Sequence, residues 1–229
     1  MYPVARMFWQ LGKARKTPKL GLTDTYVSQH HCLPWDLDVW MELNNGRTLT
    51  LYDLGRIPLS WVTGLHAALK RKGWGMTVAG STTRYRRRIT VFHLITMKSR
   101  LVTWDDRFMY IEQSMWTGKG ECAGHVLLRM ATVSPKGIVA PKEAIDEMGY
   151  DGSAPPPMPE WVKTWVTAEN QRPGPRCKTP DNEISCQNPA LPVLSDQTGG
   201  ERSWQFRKSG ASGAGCFSTG PSSPSIPLA

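Results

Sequence analysis

Between residues 73 and 134 the chain runs through strand-like segments separated only by turns, and this constrains the fold more than any other feature. The runs are "WGMTVAGSTTRYRRRI", "VFHLITMKSRLVTW", "RFMYIEQSMWT" and "ECAGHVLLRMATVS", rich in β-branched and aromatic residues. Asp105-Asp106 and Gly118-Lys119-Gly120 are turn residues between them. Strands joined this closely pair antiparallel, since a parallel pair needs a long crossover. Strands of about ten residues reach roughly 33 Å, long enough to wrap a helix. A doubly wound nucleotide-binding fold needs alternating β and α units and is excluded by this order.

The segment before Gly73 supplies one strand and one or two helices. "LTDTYVSQHHCLPW" reads as a strand ended by Pro34. Asn44 or Asn45 caps a helix through "GRTLTLYDLGR", and Pro58 is expected to kink or restart it. A second helix follows in "LSWVTGLHAALKRKG": Trp61, Val62, Leu65 and Leu69 recur at helical spacing, and Gly73 stops it. The expectation is an α+β layer pair in which the four later strands meander by hairpins.

The chain divides by composition. Residues 1–20 form an arm of aromatics followed by basic residues, the reverse of a secretory signal; it packs on its own domain or touches a membrane surface. Residues 21–150 are the folded domain, 151–171 a Pro-rich segment with a short helix. Residues 172–229, rich in Ser, Gly, Pro, Asn and Gln, are expected to lack order. No apolar run approaches a membrane span. Five cysteines without CxxC spacing argue against a disulfide framework or structural zinc and fit a reducing cytoplasm. A net charge of +9 implies affinity for an anion, whether nucleic acid, lipid or a phosphorylated small molecule.

"WDLDVWMELNNGRTLTLYDLGR", from Trp35 to Arg56, places aspartates ahead of an asparagine pair and a helix. It resembles the opening of the hotdog-fold thioesterases of the 4-hydroxybenzoyl-CoA thioesterase branch, Asp-x-Asp-x-x-Gly-His-Val-Asn-Asn followed by a helix with Glu and Arg. Asp36 and Asp38 match the aspartates, Asn44 and Asn45 the asparagines, and Arg56 the arginine; Asp53 stands at the Glu position. The resemblance covers residues 20–140, including the order and spacing of the four strands. Met41 and Glu42 depart from it, replacing Gly and His. The fold implied is a hotdog, a long antiparallel sheet wrapped around a central helix. The activity implied is acyl-CoA thioester hydrolysis by a homodimer or homotetramer in which sheets join edge to edge, without metal or redox cofactor.

By that resemblance Asp38 is the carboxylate facing the thioester, as nucleophile or as base for water. A helix N-terminus nearby favours an ionised carboxylate and can polarise the carbonyl. Asp36 reads instead as a turn or capping residue. Glu42 is a second acid or a solvent-facing replacement. Asp53 is catalytic, a contact to a neighbouring subunit, or an exposed helix residue. Asn44 and Asn45 are caps first and substrate contacts second. In "RYRRR", Arg84, Arg86 and Arg88 share a strand face and are suited to coenzyme A phosphates. The same cluster could instead protect a sheet edge or contact nucleic acid, the last disfavoured by too few aromatics. His30, His31 and Cys32 alternate across a strand and do not suit chelation, and His93 and His125 read as structural. The rival to the enzyme is a non-catalytic hotdog protein that binds acyl-CoA.

Overall fold

A computed structural model describes residues 2–173 and, as backbone, the strand pair Arg176–Thr179 and Asn182–Ser185. The elements in order are α1 (Val4–Ala14), β1 (Tyr26–His31), α2 (Asn45–Val62), α3 (Leu65–Lys72), β2 (Gly75–Tyr85), β3 (Leu94–Trp104), β4 (Met109–Trp116), β5 (Cys122–Ser134), β6 (Gly137–Val139), α4 (Pro141–Glu147) and α5 (Glu160–Gln171). All ladders are antiparallel, in the order β1-β3-β4-β5-β2, with β6 on β5.

This is the α+β hotdog arrangement. Strand alternation sends Met97, Ile111, Met115 and Leu128 to one face, where they meet Leu51, Leu54 and Leu59 of α2 in the main core. The helix seats closely because Gly55 lacks a Cβ: one built there would lie 2.5 Å from Met97 Sδ and Ser99 Oγ. Gln113, fully buried, bonds Ser99 Oγ and the Tyr52 carbonyl at 2.8 Å each, tying helix to sheet. The opposite face is partly covered by α5, whose Val162 packs on Phe108, Tyr110 and Leu127.

Two expectations are corrected. The four later strands do not form one meander: β3, β4 and β5 do, but β2 crosses to the far side and pairs with β5. Pro58 does not interrupt α2, which runs through it to Val62. Only the Leu54 carbonyl forfeits its helical donor there, while Pro58, Leu59 and Val62 continue the buried stripe. The break comes at Gly64, whose φ of +87° suits glycine and starts α3, and Gly73 (φ +68°) ends α3 as expected.

The N-terminal arm is an α-helix packed on α2, burying Met7, Gln10 and Ala14. Apart from the strand pair named above and Arg172 and Pro173, the expectation for residues 172–229 lies outside the described residues. Among the described residues no helix is long and apolar enough to cross a membrane.

Candidate active site

The β2–β3 connection builds the site. Because β2 and β3 lie on opposite sides of β4 and β5, residues 86–93 must cross the end of the sheet. That crossing passes the loop before α2: Leu43 N–H donates to the Ile89 carbonyl at 2.8 Å, and Glu42 bridges to Thr90. The arginine run is thereby brought to the N-terminus of α2.

Asp36 is fully buried and anchors the loop. Its carboxylate accepts two bonds from Arg6 of α1, both 2.7 Å, one from Arg47 Nε at 2.8 Å and one from Leu33 N–H at 3.0 Å. Burial alone would raise its pKa, but the Arg6, Leu33 and Arg47 donors outweigh burial and hold it below the usual carboxylate value. The turn-residue reading of Asp36 therefore extends to a structural ion-pair hub. Arg6 and Arg47 were absent from the sequence-based site, since nothing local in sequence pairs residues 6, 36 and 47.

Asp38 opens a tight turn. Its Oδ1 accepts from Trp40 N–H at 2.9 Å and Glu42 N–H at 3.3 Å, its own N–H donates to the Glu42 carbonyl, and Met41 N–H donates to its carbonyl. Met41 occupies φ +59°, the left-handed region in which glycine is at ease. The glycine of the resembled pattern thus has a conformational reason, and Met41 departs from it at a cost.

Asn44 caps α2, its Oδ1 accepting from Arg47 N–H at 3.1 Å. The first two helical N–H groups, of Asn45 and Gly46, have no intrahelical acceptor, as at any helix start. A polar cavity of about 230 Å³ lies at this end of α2, lined by Glu42, Asn45, Thr48, Tyr85 and Arg86 to Arg88. Glu42 Oε1 meets Arg88 Nε at 3.1 Å. The Tyr85 hydroxyl reaches the Asn45 carbonyl at 3.4 Å. Tyr85 and Thr48 are cavity residues that sequence reading did not assign. Both stand in register with residues it did assign, Tyr85 beside Arg84 and Thr48 one turn from Asn45.

The structure does not bring all the predicted residues together. Asp38 stands in the adjoining turn and does not line the cavity. Asp53 lies two turns along α2, bonded to Tyr2 and Arg56, and lines neither this cavity nor the apolar one. The expected single face for Arg84, Arg86 and Arg88 is corrected, because β2 ends at Tyr85 and alternation stops with it. Arg84 pairs in register with His125 on the outer face, opposite α2. There, with Arg86, Lys98, Arg100 and Glu112, it lines a separate pocket of about 450 Å³. Arg86 alone of the three borders both pockets, Arg87 pairs with Glu121, and Arg88 reaches Glu42.

His125 Nε2 donates to the ionised Glu112 carboxylate at 2.7 Å, and Glu112 also holds Arg100, a structural network on the outer face. A larger, mostly apolar cavity of about 380 Å³ lies at the other end of α2, lined by Leu59, Leu69, Met76, Leu101, Met109 and Met130 among others. Among the described residues no group of three or more His, Cys, Asp or Glu side chains is placed to hold a metal ion.

A long helix gripped by an antiparallel sheet defines the hotdog class. Comparison with known proteins then gives the family: residues 32–166, more than half of the chain, match the thioesterase-like superfamily, and the chain belongs to it. Protein THEM6 of Xenopus laevis is 31% identical over 134 residues, 58% of this chain and 63% of that protein. Protein THEM6 of Drosophila melanogaster is 27% identical over 151 residues, 66% of this chain and 76% of the relative. The chain therefore spans less than two thirds of the frog relative. Among solved structures, a Staphylococcus aureus hypothetical protein in complex with CoA superposes with a TM-score of 0.51 at 10% identity, covering 63% of this chain and 95% of its own. A putative oleoyl thioesterase from Lactobacillus plantarum superposes with 0.50 at 16% identity, covering 60% and 56%. At these identities the likeness is one of fold.

Proposed function

We propose that the protein hydrolyses acyl-CoA thioesters to a free acid and coenzyme A. The observation that carries the reading is the open start of α2, where Asn45 lines a cavity walled by Glu42 and adjoined by the Asp38 turn, and the first helical N–H groups, of Asn45 and Gly46, lack a helical acceptor. In this reading the thioester carbonyl oxygen sits at those N–H groups, which stabilise the oxyanion as it forms. Asp38 either attacks the carbonyl carbon or takes a proton from the water that does. The C–S bond then breaks, and the thiolate leaves and is protonated as free coenzyme A. Among the described residues Asp38 Oδ2 carries no hydrogen bond, so one carboxylate oxygen is free for this work while Oδ1 fixes the turn. Arg86 and Arg88 flank the same cavity and suit the phosphates of coenzyme A.

The reading includes a homodimer or larger assembly joined through β2, one of the sheet's two edge strands. Met41 and Glu42 favour a second reading, an acyl-CoA-binding protein without turnover. The test is thiol release from short-, medium-, long-chain and aromatic acyl-CoAs by the full chain, Asp38→Asn and Glu42→Gln. The expected result is turnover by the wild type and a loss of roughly a hundredfold or more in Asp38→Asn with folding intact. Turnover unchanged in Asp38→Asn transfers the chemical role to Glu42, and saturable binding with no turnover selects the binding protein.

A further inference from the structure

Helix α1 packs Met7 and Ala14 into the core but leaves its largest apolar side chains outside. Gln10 is 1% exposed, while Phe8 is 70% and Trp9 66% exposed, with Val4 beside Phe8 on the same face at 52%. The helix cannot roll to correct this. Arg6 holds buried Asp36 with both terminal guanidinium nitrogens, and Gln10 Nε2 donates to the Gln29 carbonyl of β1 at 2.7 Å. Those bonds fix Phe8 and Trp9 outward.

The chain that follows this ridge carries one sign of charge. Lys13, Arg15, Lys16 and Lys19 follow it, all exposed, and no acidic residue occurs before Asp24. Among the described residues none of these four cations has a carboxylate partner; Lys13 lies 5.4 Å from the Trp9 ring and Arg15 5.2 Å from that of Trp61. An outward apolar row flanked by cations matches an interface of acyl chains under anionic headgroups. A second copy seated on the same face would set these cations against themselves. Nucleic acid would engage the cations but leave Val4 and Phe8 in water.

We propose that α1 is a membrane-docking face that places the protein on anionic lipid, with Val4, Phe8 and Trp9 at the acyl boundary and Lys13, Lys16 and Lys19 on the headgroups. The apolar ridge supplies contact and the lysines supply lipid selectivity. The inference is independent of the hydrolytic reading, since it uses no residue of the candidate active site.

The test is co-sedimentation of the full chain with vesicles of phosphatidylcholine alone and of phosphatidylcholine with about one third phosphatidylglycerol, at low and at physiological salt. The wild type is expected in the pellet with the anionic vesicles and mainly in the supernatant with the neutral ones. Phe8→Ser with Trp9→Ser is expected to weaken anionic binding by about tenfold or more, and Lys13→Glu with Lys16→Glu to abolish the preference for phosphatidylglycerol. Both pairs are at the surface, and thermal melts matching the wild type establish that they fold. Three results overturn the proposal: no binding of the wild type to anionic vesicles, serine variants that bind as the wild type does, or a wild-type dimer that the serine variants dissociate with lipid binding unchanged.

Discussion

Replacing Asp36 by Asn tests whether this aspartate is an anchor or a chemical group. The substitution keeps shape but removes a buried negative charge that four donors share, from Arg6, Arg47 and Leu33. Asparagine also turns an N–H₂ toward guanidinium donors, leaving at least one cation facing a donor. Breaking a buried ion pair from one side costs about 3–5 kcal/mol. Because Arg6 and Arg47 retain 17% and 14% side-chain exposure, water reaches them and the lower end, about 3 kcal/mol, is expected. For a domain of this size that is roughly a 6–12 °C fall in melting temperature. Arg6→Leu, which leaves Arg47 and Leu33 in place, should cost less, about 1.5–3 kcal/mol. The double variant should then show coupling between the two sites. Thermal and urea melts by circular dichroism, with thiol release measured on the same samples, decide the matter. An Asp36→Asn protein that melts like the wild type yet loses turnover a hundredfold would refute the anchor and make Asp36 a chemical group.

Gly55→Ala should destabilise the fold although alanine is the better helix former: a methyl group 2.5 Å from Met97 Sδ and Ser99 Oγ costs about 1–3 kcal/mol against a gain of about 1 kcal/mol, read as a lower urea midpoint. Met41→Gly should raise stability by up to about 1 kcal/mol, read as a higher urea midpoint, because it relieves a left-handed residue by more than the added unfolded-state freedom takes back. His30 is buried with both ring nitrogens unpaired, and burial pushes its pKa from 6.5 down to about 4. Protonation therefore favours the unfolded chain, so stability is full above pH 6.5 and falls by up to about 3 kcal/mol as pH drops to 4; melts across that range should flatten in His30→Gln. Glu112, held down to about 2 chiefly by its hydrogen bond from His125, against burial and with help from Arg100, keeps its contribution above pH 4.5 and loses it as pH falls toward 2, a second and separate acid limb.

Local signals placed most elements. Alternation and turn residues located β2 to β5, and Gly73 and the Asn44 cap fell where the chain needs them, because each depends only on neighbours in sequence. Pro58 misled for the same reason: local chemistry argues for a break, but burial of Leu59 and Val62 on the sheet overrides the loss of one helical bond. Strand order was not legible, since "RYRRRITVFH" looks like a hairpin connection and nothing in it reveals that it crosses two strands. That crossing decides which arginine faces what. Period-two reasoning holds for Arg84 and Arg86, which share the outer pocket, and fails by Arg88, which turns to Glu42 because the strand has ended. The Asp36 hub joins residues from three separate segments and has no sequence signature beyond the aspartate itself.

The two cavities lie at opposite ends of α2, one around residues 42–48 and one around residues 56–69. Along a helix axis Asn45 and Ile57 are separated by roughly 18 Å. A thioester at the helix start and an acyl chain in the apolar cavity of the same chain would have to span that length along a packed core. Edge pairing offers a shorter route. If two copies join β2 to β2 antiparallel about Gly80, Gly75 of one copy faces Tyr85 of the other. Gly75, Met76 and Val78 line the apolar cavity, and Tyr85 lines the polar one. Such a pairing would cover an exposed edge strand and set each apolar cavity beside the other copy's helix start. In such a pairing the long β2 strand would do two jobs, and the proposed dimer would complete the proposed active site.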